Sequence, residues 1–183
     1  ISVQDTVYQQ QYQYIPATII NSTITKRNNF FTLNTGEKQG VSRGMGVFSN
    51  NGIVGIVHAA SSHFSIVKSV LTSDINIDVM IQENGAFGLL KWNGEDPNKG
   101  TISGITNDIK ITIGSAVISR GGSGIFPKGL RVGKVSAVKP IEGKSVWEIE
   151  IHFSEKYASL QNVYVINNLF RNEMLMLENQ KGE

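Results

Sequence analysis

The sequence predicts an all-β protein built as two small six-stranded β-barrels with short helical or disordered ends. Three observations carry this. Period-two alternation is clean in Ile75-Asn76-Ile77-Asp78-Val79-Met80-Ile81-Gln82, where every odd position is β-branched, and in Trp147-Glu148-Ile149-Glu150-Ile151-His152-Phe153. Such alternation sets one strand face on a core and the other towards solvent. Asn-Gly pairs at Asn51-Gly52 and Asn84-Gly85 supply the positive φ of tight hairpins, and 19 glycines against 4 prolines suit many short turns. A single sheet of about eleven strands curls or splits, and closure into barrels removes its edges.

The elements follow in order. Residues 1–13 are Gln-rich, with Val3, Val7 and Tyr14 near helical spacing, and read as the end of a coiled coil or as linker. Pro16 ends any helix there. A first barrel over 14–73 takes strands near 17–25, 30–34, 45–49, 53–59 and 64–70, and Leu71-Thr72-Ser73-Asp74 marks the boundary. A second barrel over 74–160 takes strands near 75–82, 86–92, 101–105, 115–119, 130–138 and 145–153. A twelfth strand at 161–167 closes one barrel or the other; the pattern does not choose. In the tail, 168–183, Phe170, Met174 and Leu177 form one helical stripe, consistent with a short docking helix or a disordered end.

Composition narrows the function. With 17 Lys+Arg against 15 Asp+Glu, and no basic run interleaved with aromatics, nucleic acid is not the expected partner. No cysteine is present, which removes disulfides, thiolate metal sites and a cysteine nucleophile. No stretch approaches the ~20 apolar residues of a membrane-spanning helix. The chain opens on Ile1 with no apolar leader, as expected of a processed or excised piece whose anchoring segment lies upstream.

The catalytic candidates are weak. His58, His63 and His152 are the three histidines and share no metal-ligand spacing, so no metal and no cofactor are expected. Gly121-Gly122-Ser123-Gly124 resembles the nucleophile loop of chymotrypsin-like serine proteases, and His58 or His63, Asp74 or Asp78, and Ser123 fall in the matching chain order. Against this, Asp78 occupies an outward position of its strand, whereas a triad aspartate is buried against its histidine. Ile125 also follows where that family carries a small residue. A serine protease, active or degenerate, is therefore the alternative to a chain with no catalytic residues. The acidic loop Glu95-Asp96 lacks the oxygen-ligand spacing of a calcium loop.

Gly121 to Val135, GGSGIFPKGLRVGKV, together with Asn34-Thr35-Gly36, Gly40-Val41, Gly44-Met45-Gly46-Val47, Asn51-Gly52-Ile53-Val54-Gly55-Ile56-Val57 and Leu160–Ile166, resembles the MreC family of bacterial rod shape-determining proteins, over about 14–167. The resemblance implies two β-barrels in a chymotrypsin-like arrangement outside the cytoplasmic membrane, at the periplasmic face. It implies an anchor only through an N-terminal span absent from this chain, followed by a coiled coil of which nearly all is absent too. It further implies a non-catalytic scaffold of the cell-wall elongation machinery, binding a class B penicillin-binding transpeptidase, working with MreD, RodA and MreB, and self-associating as dimer or filament. Exposed apolar groups at flexible loops mark such interfaces. On that ground Ile125, Phe126 and Pro127 are the expected partner contacts, with Asn51, Ile53 and Asp96 as weaker candidates. The competing reading of Phe126 is a plug at the end of its own barrel.

Overall fold

The computed structural model describes residues 2–5 and 10–182, and Val7 of the proposed N-terminal stripe lies outside them. Barrel one is formed by β2 (Gln10–Ser22), β3 (Asn28–Leu33), β4 (Gly46–Ser49), β5 (Gly52–Ala60), β6 (Ser65–Thr72) and β13 (Asn162–Asn168). The order is β2-β13-β4-β5-β6-β3, and β3 pairs back onto β2 to close the ring. Barrel two closes β7 (Ile77–Ile81), β8 (Phe87–Lys91), β9 (Lys99–Ser103), β12 (Trp147–Phe153), β11 (Arg131–Pro140) and β10 (Ala116–Ser119) in that order. Both rings are antiparallel throughout. The all-β, two-barrel expectation therefore holds.

The alternating strands fold as the pattern requires. Ile75, Ile77, Val79 and Ile81 are buried, as are Ile149 and Ile151, while Asn76, Glu148 and His152 are exposed. Trp147 and Phe153 are only half-buried because they cap the two ends of β12. Glu150 is half-buried too, accepting a hydrogen bond from Ser136 Oγ at 3.0 Å and pairing with Lys99 at 3.6 Å. The barrel-one core gathers Phe31, Leu33, Val47, Ile53, Val67, Leu71, Val163 and Val165. Trp92, Leu90, Ile102, Val117 and Val135 fill barrel two.

The strand β13 belongs to barrel one, between β2 and β4. The chain thus leaves barrel one after β6, builds all of barrel two, and returns to complete the ring it started.

The N-terminal expectation needs correction. Among the described residues of 1–13 no helix forms; β1 (Ser2–Asp5) pairs antiparallel with Gln10–Gln13, the start of β2. Tyrosines, which favour strands, alternate at 12 and 14, and Tyr12 is fully buried. Pro16 lies inside β2, opposite Tyr164. The Ile19 N–H points to the β13 side, on Gln161 O, and the Thr18 N–H to the β3 side, on Asn34 Oδ1. By alternation the Pro16 nitrogen faces the β3 side, in the gap between the parts of β2 paired with β1 and β3, where no ladder donor is required. At the other end, the tail forms the helix α1 (Arg171–Glu178) rather than a disordered end, but the expected stripe is not docked: Met174 is half-buried, Phe170 and Leu177 are exposed, and no residue of the helix is buried.

Candidate functional site between the barrels

The two barrels meet along a joint built from short residues. The loop from Arg120 to Leu130, between β10 and β11, is fastened by Ser119. Its hydroxyl donates to Pro127 O at 2.6 Å and accepts from the Leu130 N–H at 2.9 Å. Fixed this way, the loop drives Phe126 across into barrel one against Gly46 of β4. A Cβ at Gly46 would lie 2.9 Å from Phe126 Cε1 and 2.6 Å from Ile125 O, so only glycine permits the approach. Asn168, the last residue of β13, donates through Nδ2 to Gly124 O at 3.0 Å.

A polar half of the joint lies at the β4–β5 hairpin. The segment that follows β12 runs along it. Ser154 Oγ donates to Asn51 O at 2.6 Å, Ser49 Oγ bonds to the buried Glu155 carboxylate, and Tyr157 donates to Ile53 O at 2.8 Å. Burial, reinforced by the Glu155 carboxylate, pushes the Tyr157 hydroxyl far above the ordinary phenol range. That tyrosine is locked as a neutral donor.

Beside the joint the barrels leave an open cleft. Ile56 of barrel one, Ile77 and Leu89 of barrel two and Ile125 of the loop supply its apolar lining, with Asn76, Asp78 and Ser123 as polar neighbours. Next to it, Phe87 and Leu89 stand on the outer face of β8, 54% and 43% exposed. The Arg120 guanidinium lies 3.7 Å above the Phe87 ring. Large exposed apolar groups beside a concave surface suit a macromolecular contact.

The sequence-expected contacts are redistributed. Ile125 lines the cleft. Phe126, 4% exposed, and Pro127 are buried in the joint rather than displayed on an open loop, and Phe126 reaches the cleft only as part of its lining. Nor is Phe126 a plug confined to its own barrel, since it packs on Gly46 of the other. Ile53 is wholly buried in the barrel-one core. Asn51 is exposed, but its carbonyl is held by Ser154. Asp96 is half-buried and structural: its Oδ1 accepts from Asn98 N–H at 2.8 Å and its carbonyl from the Trp92 indole at 2.8 Å. Missed in the sequence were Phe87 and Leu89. Their signal is a strand apolar on both faces, with Leu90 and Trp92 pointing inward and two large groups left outside.

No triad assembles. Ser123 is exposed and its hydroxyl accepts one hydrogen bond, from the Ile125 N–H at 3.4 Å, with no histidine partner among the described residues. Asp74 pairs with Lys68 at 3.2 Å, and the His58 ring lies 5.7 Å from that of Phe30. Among the described residues no three His, Asp or Glu side chains converge as metal ligands.

The fold and its joint define a double-barrel β protein with a partly apolar cleft between its barrels. The chain belongs to the MreC family: the model for the rod shape-determining protein MreC, barrel core, matches residues 19–167. The cell shape-determining protein MreC of Listeria monocytogenes serovar 1/2a (strain ATCC BAA-679 / EGD-e) is 25% identical over 133 residues, 71% of this chain and 45% of that protein. The chain therefore spans less than half the length of that curated relative. Among solved structures, MreC of Listeria monocytogenes superposes with a TM-score of 0.81 at 22% identity, covering 90% of this chain and 79% of that one. MreC from Pseudomonas aeruginosa gives 0.76 at 19% identity, covering 84% and 98%. A complex between Penicillin-Binding Protein (PBP2) and MreC from Helicobacter pylori gives 0.68 at 20% identity, covering 85% and 98%. Among the described residues no helix is long and apolar enough to cross a membrane.

Proposed function

We propose that this chain is the extracytoplasmic part of a non-catalytic scaffold for cell-wall elongation, and that it binds a class B penicillin-binding transpeptidase at the inter-barrel cleft. The observation that carries the proposal is the pair Phe87 and Leu89, large and exposed at the edge of a cleft lined by Ile56, Ile77 and Ile125. The complex of a fold relative with a penicillin-binding protein supports the choice of partner. The same reading extends to work alongside MreD, RodA and MreB, to self-association, and to an anchor in the cytoplasmic membrane through a part of the protein outside this chain.

Immobilised class B transpeptidase from the same cell, titrated with the chain, tests it. Leu89→Asp and Phe87→Ala should each weaken binding by about 2 kcal/mol, as truncated anchor residues do. Their melting temperatures should stay close to that of the parent because both side chains face outward. Full-strength binding by both variants rules out the cleft, and no binding by the parent chain rules out the partner.

A further inference from the structure

A second cavity, of about 80 Å³, opens on the joint at the start of α1. It is polar where the cleft is apolar. Ser42 and Arg43, in the loop between β3 and β4, form one wall; Gly124 of the glycine loop forms another; Asn168, Arg171 and Asn172 complete it. The volume is well above the ~10–15 Å³ that one water requires, so a small polyatomic ion has room.

The unusual group here is Arg171. Its Nε is buried and has no hydrogen-bond partner among the described residues. The ion pairs found there are Lys68–Asp74 and Lys99–Glu150, so neither Arg171 nor Arg43 is neutralised. No carboxylate lines the cavity. That Nε is shielded from the cavity, so the groups that can meet an ion are the terminal nitrogens of this half-buried arginine, of which Nη1 lies beside Gly44 on the cavity wall.

We propose that this cavity is an anion site that takes a phosphate group, held by Arg171 with Arg43 at the rim. Charge selects the class. Two arginines present two positive charges, and a phosphate monoester carries about −1.5 to −2 near neutral pH, whereas a carboxylate supplies only −1. Donor geometry agrees: planar guanidinium forks match phosphate oxygens pairwise, and Asn172 lies beside them. The site joins a barrel-one loop, the barrel-two glycine loop and α1. A bound phosphate therefore ties together three segments of the joint. This inference does not depend on the transpeptidase reading.

The test is an amide-correlation NMR titration of the full chain with inorganic phosphate, at ionic strength held constant with sodium chloride. The Gly44 and Gly124 amides, which line the cavity, are the reporters. Saturable shifts with a Kd of about 1 mM or tighter are expected. Arg171→Gln should weaken binding about tenfold or more, and Arg171→Lys should weaken it as well, because it keeps the charge but loses the fork. Arg43→Gln, at an exposed position, should weaken binding severalfold without moving the melting temperature, and decides the matter if Arg171→Gln fails to fold. Shifts that stay linear, as for a cavity holding water alone, overturn the proposal. So does unchanged affinity in Arg43→Gln together with either Arg171 variant. Acetate binding as tightly as phosphate overturns the phosphate assignment in favour of a carboxylate.

Discussion

A buried phenol is stable only while it keeps its proton, and Tyr157 is such a group. Its hydroxyl bridges to Ile53 O, and burial beside Glu155 raises it well above an unfolded tyrosine. Raised in the folded state, it contributes stability that is complete below the unfolded value of about 10 and is lost as pH rises beyond it. Tyr157→Phe should cost about 1–2 kcal/mol at neutral pH, through the unsatisfied Ile53 carbonyl. Above pH ~10 the variant should lose stability less steeply than the parent. Urea unfolding at pH 7 and across the alkaline range measures both; parallel curves would show that the phenol is not protected. At the same scale, Gly46 illustrates what a sequence conceals. Its neighbours Met45 and Val47 place it in a strand, but the reason for glycine there is a ring from the other barrel, some eighty residues away along the chain.

Among elements, the strands whose faces differ in polarity were legible: β7 and β12 follow their alternation almost residue for residue. The strand β2 was only half legible. Its early residues Gln10, Gln11 and Gln13 are polar on any scale, and Pro16 reads as a break, although its nitrogen faces an unpaired edge. That geometry makes a paired prediction. Pro16→Ala should change stability by less than ~0.5 kcal/mol, since no ladder bond is gained or lost against β13. Ala17→Pro removes an N–H that alternation aims at β13, in a buried position, and should cost about 1–3 kcal/mol from the lost bond alone. Thermal melts of the two variants settle it; similar losses in both would refute the assignment of edges. The candidate site was less legible than the strands. The loop at Ile125 was found because glycines surround an apolar run. Phe126 and Pro127 were expected to be exposed and are buried, because exposure depends on which element lies opposite. The outward Phe87 and Leu89 stand on a strand whose burial pattern only the closed barrel reveals.

Across the whole molecule, the joint decides whether two barrels behave as one body. Phe126 on Gly46, Tyr157 on Ile53, Ser154 on Asn51 and Asn168 on Gly124 spread it over both ends of the contact. Calorimetric unfolding should therefore be a single transition with equal calorimetric and van't Hoff enthalpies. Gly46→Val, which expels the Phe126 ring, should split it into two; one undivided transition in the variant would show that the polar half suffices. The placement of β13 has a consequence of another kind, for the order in which the newborn chain can fold. Every strand of barrel two has been synthesised before β13 exists, so that barrel can close while the ring around β2–β6 still gapes. The edges of β2 and β4 wait, unpaired, for a strand that begins ninety residues beyond the end of β6. Such long-range closure is slow and leaves sticky edges open to neighbouring chains. The half of the molecule made first is thus the half finished last, and a released chain truncated before residue 162 should display one protease-resistant barrel and one that is not.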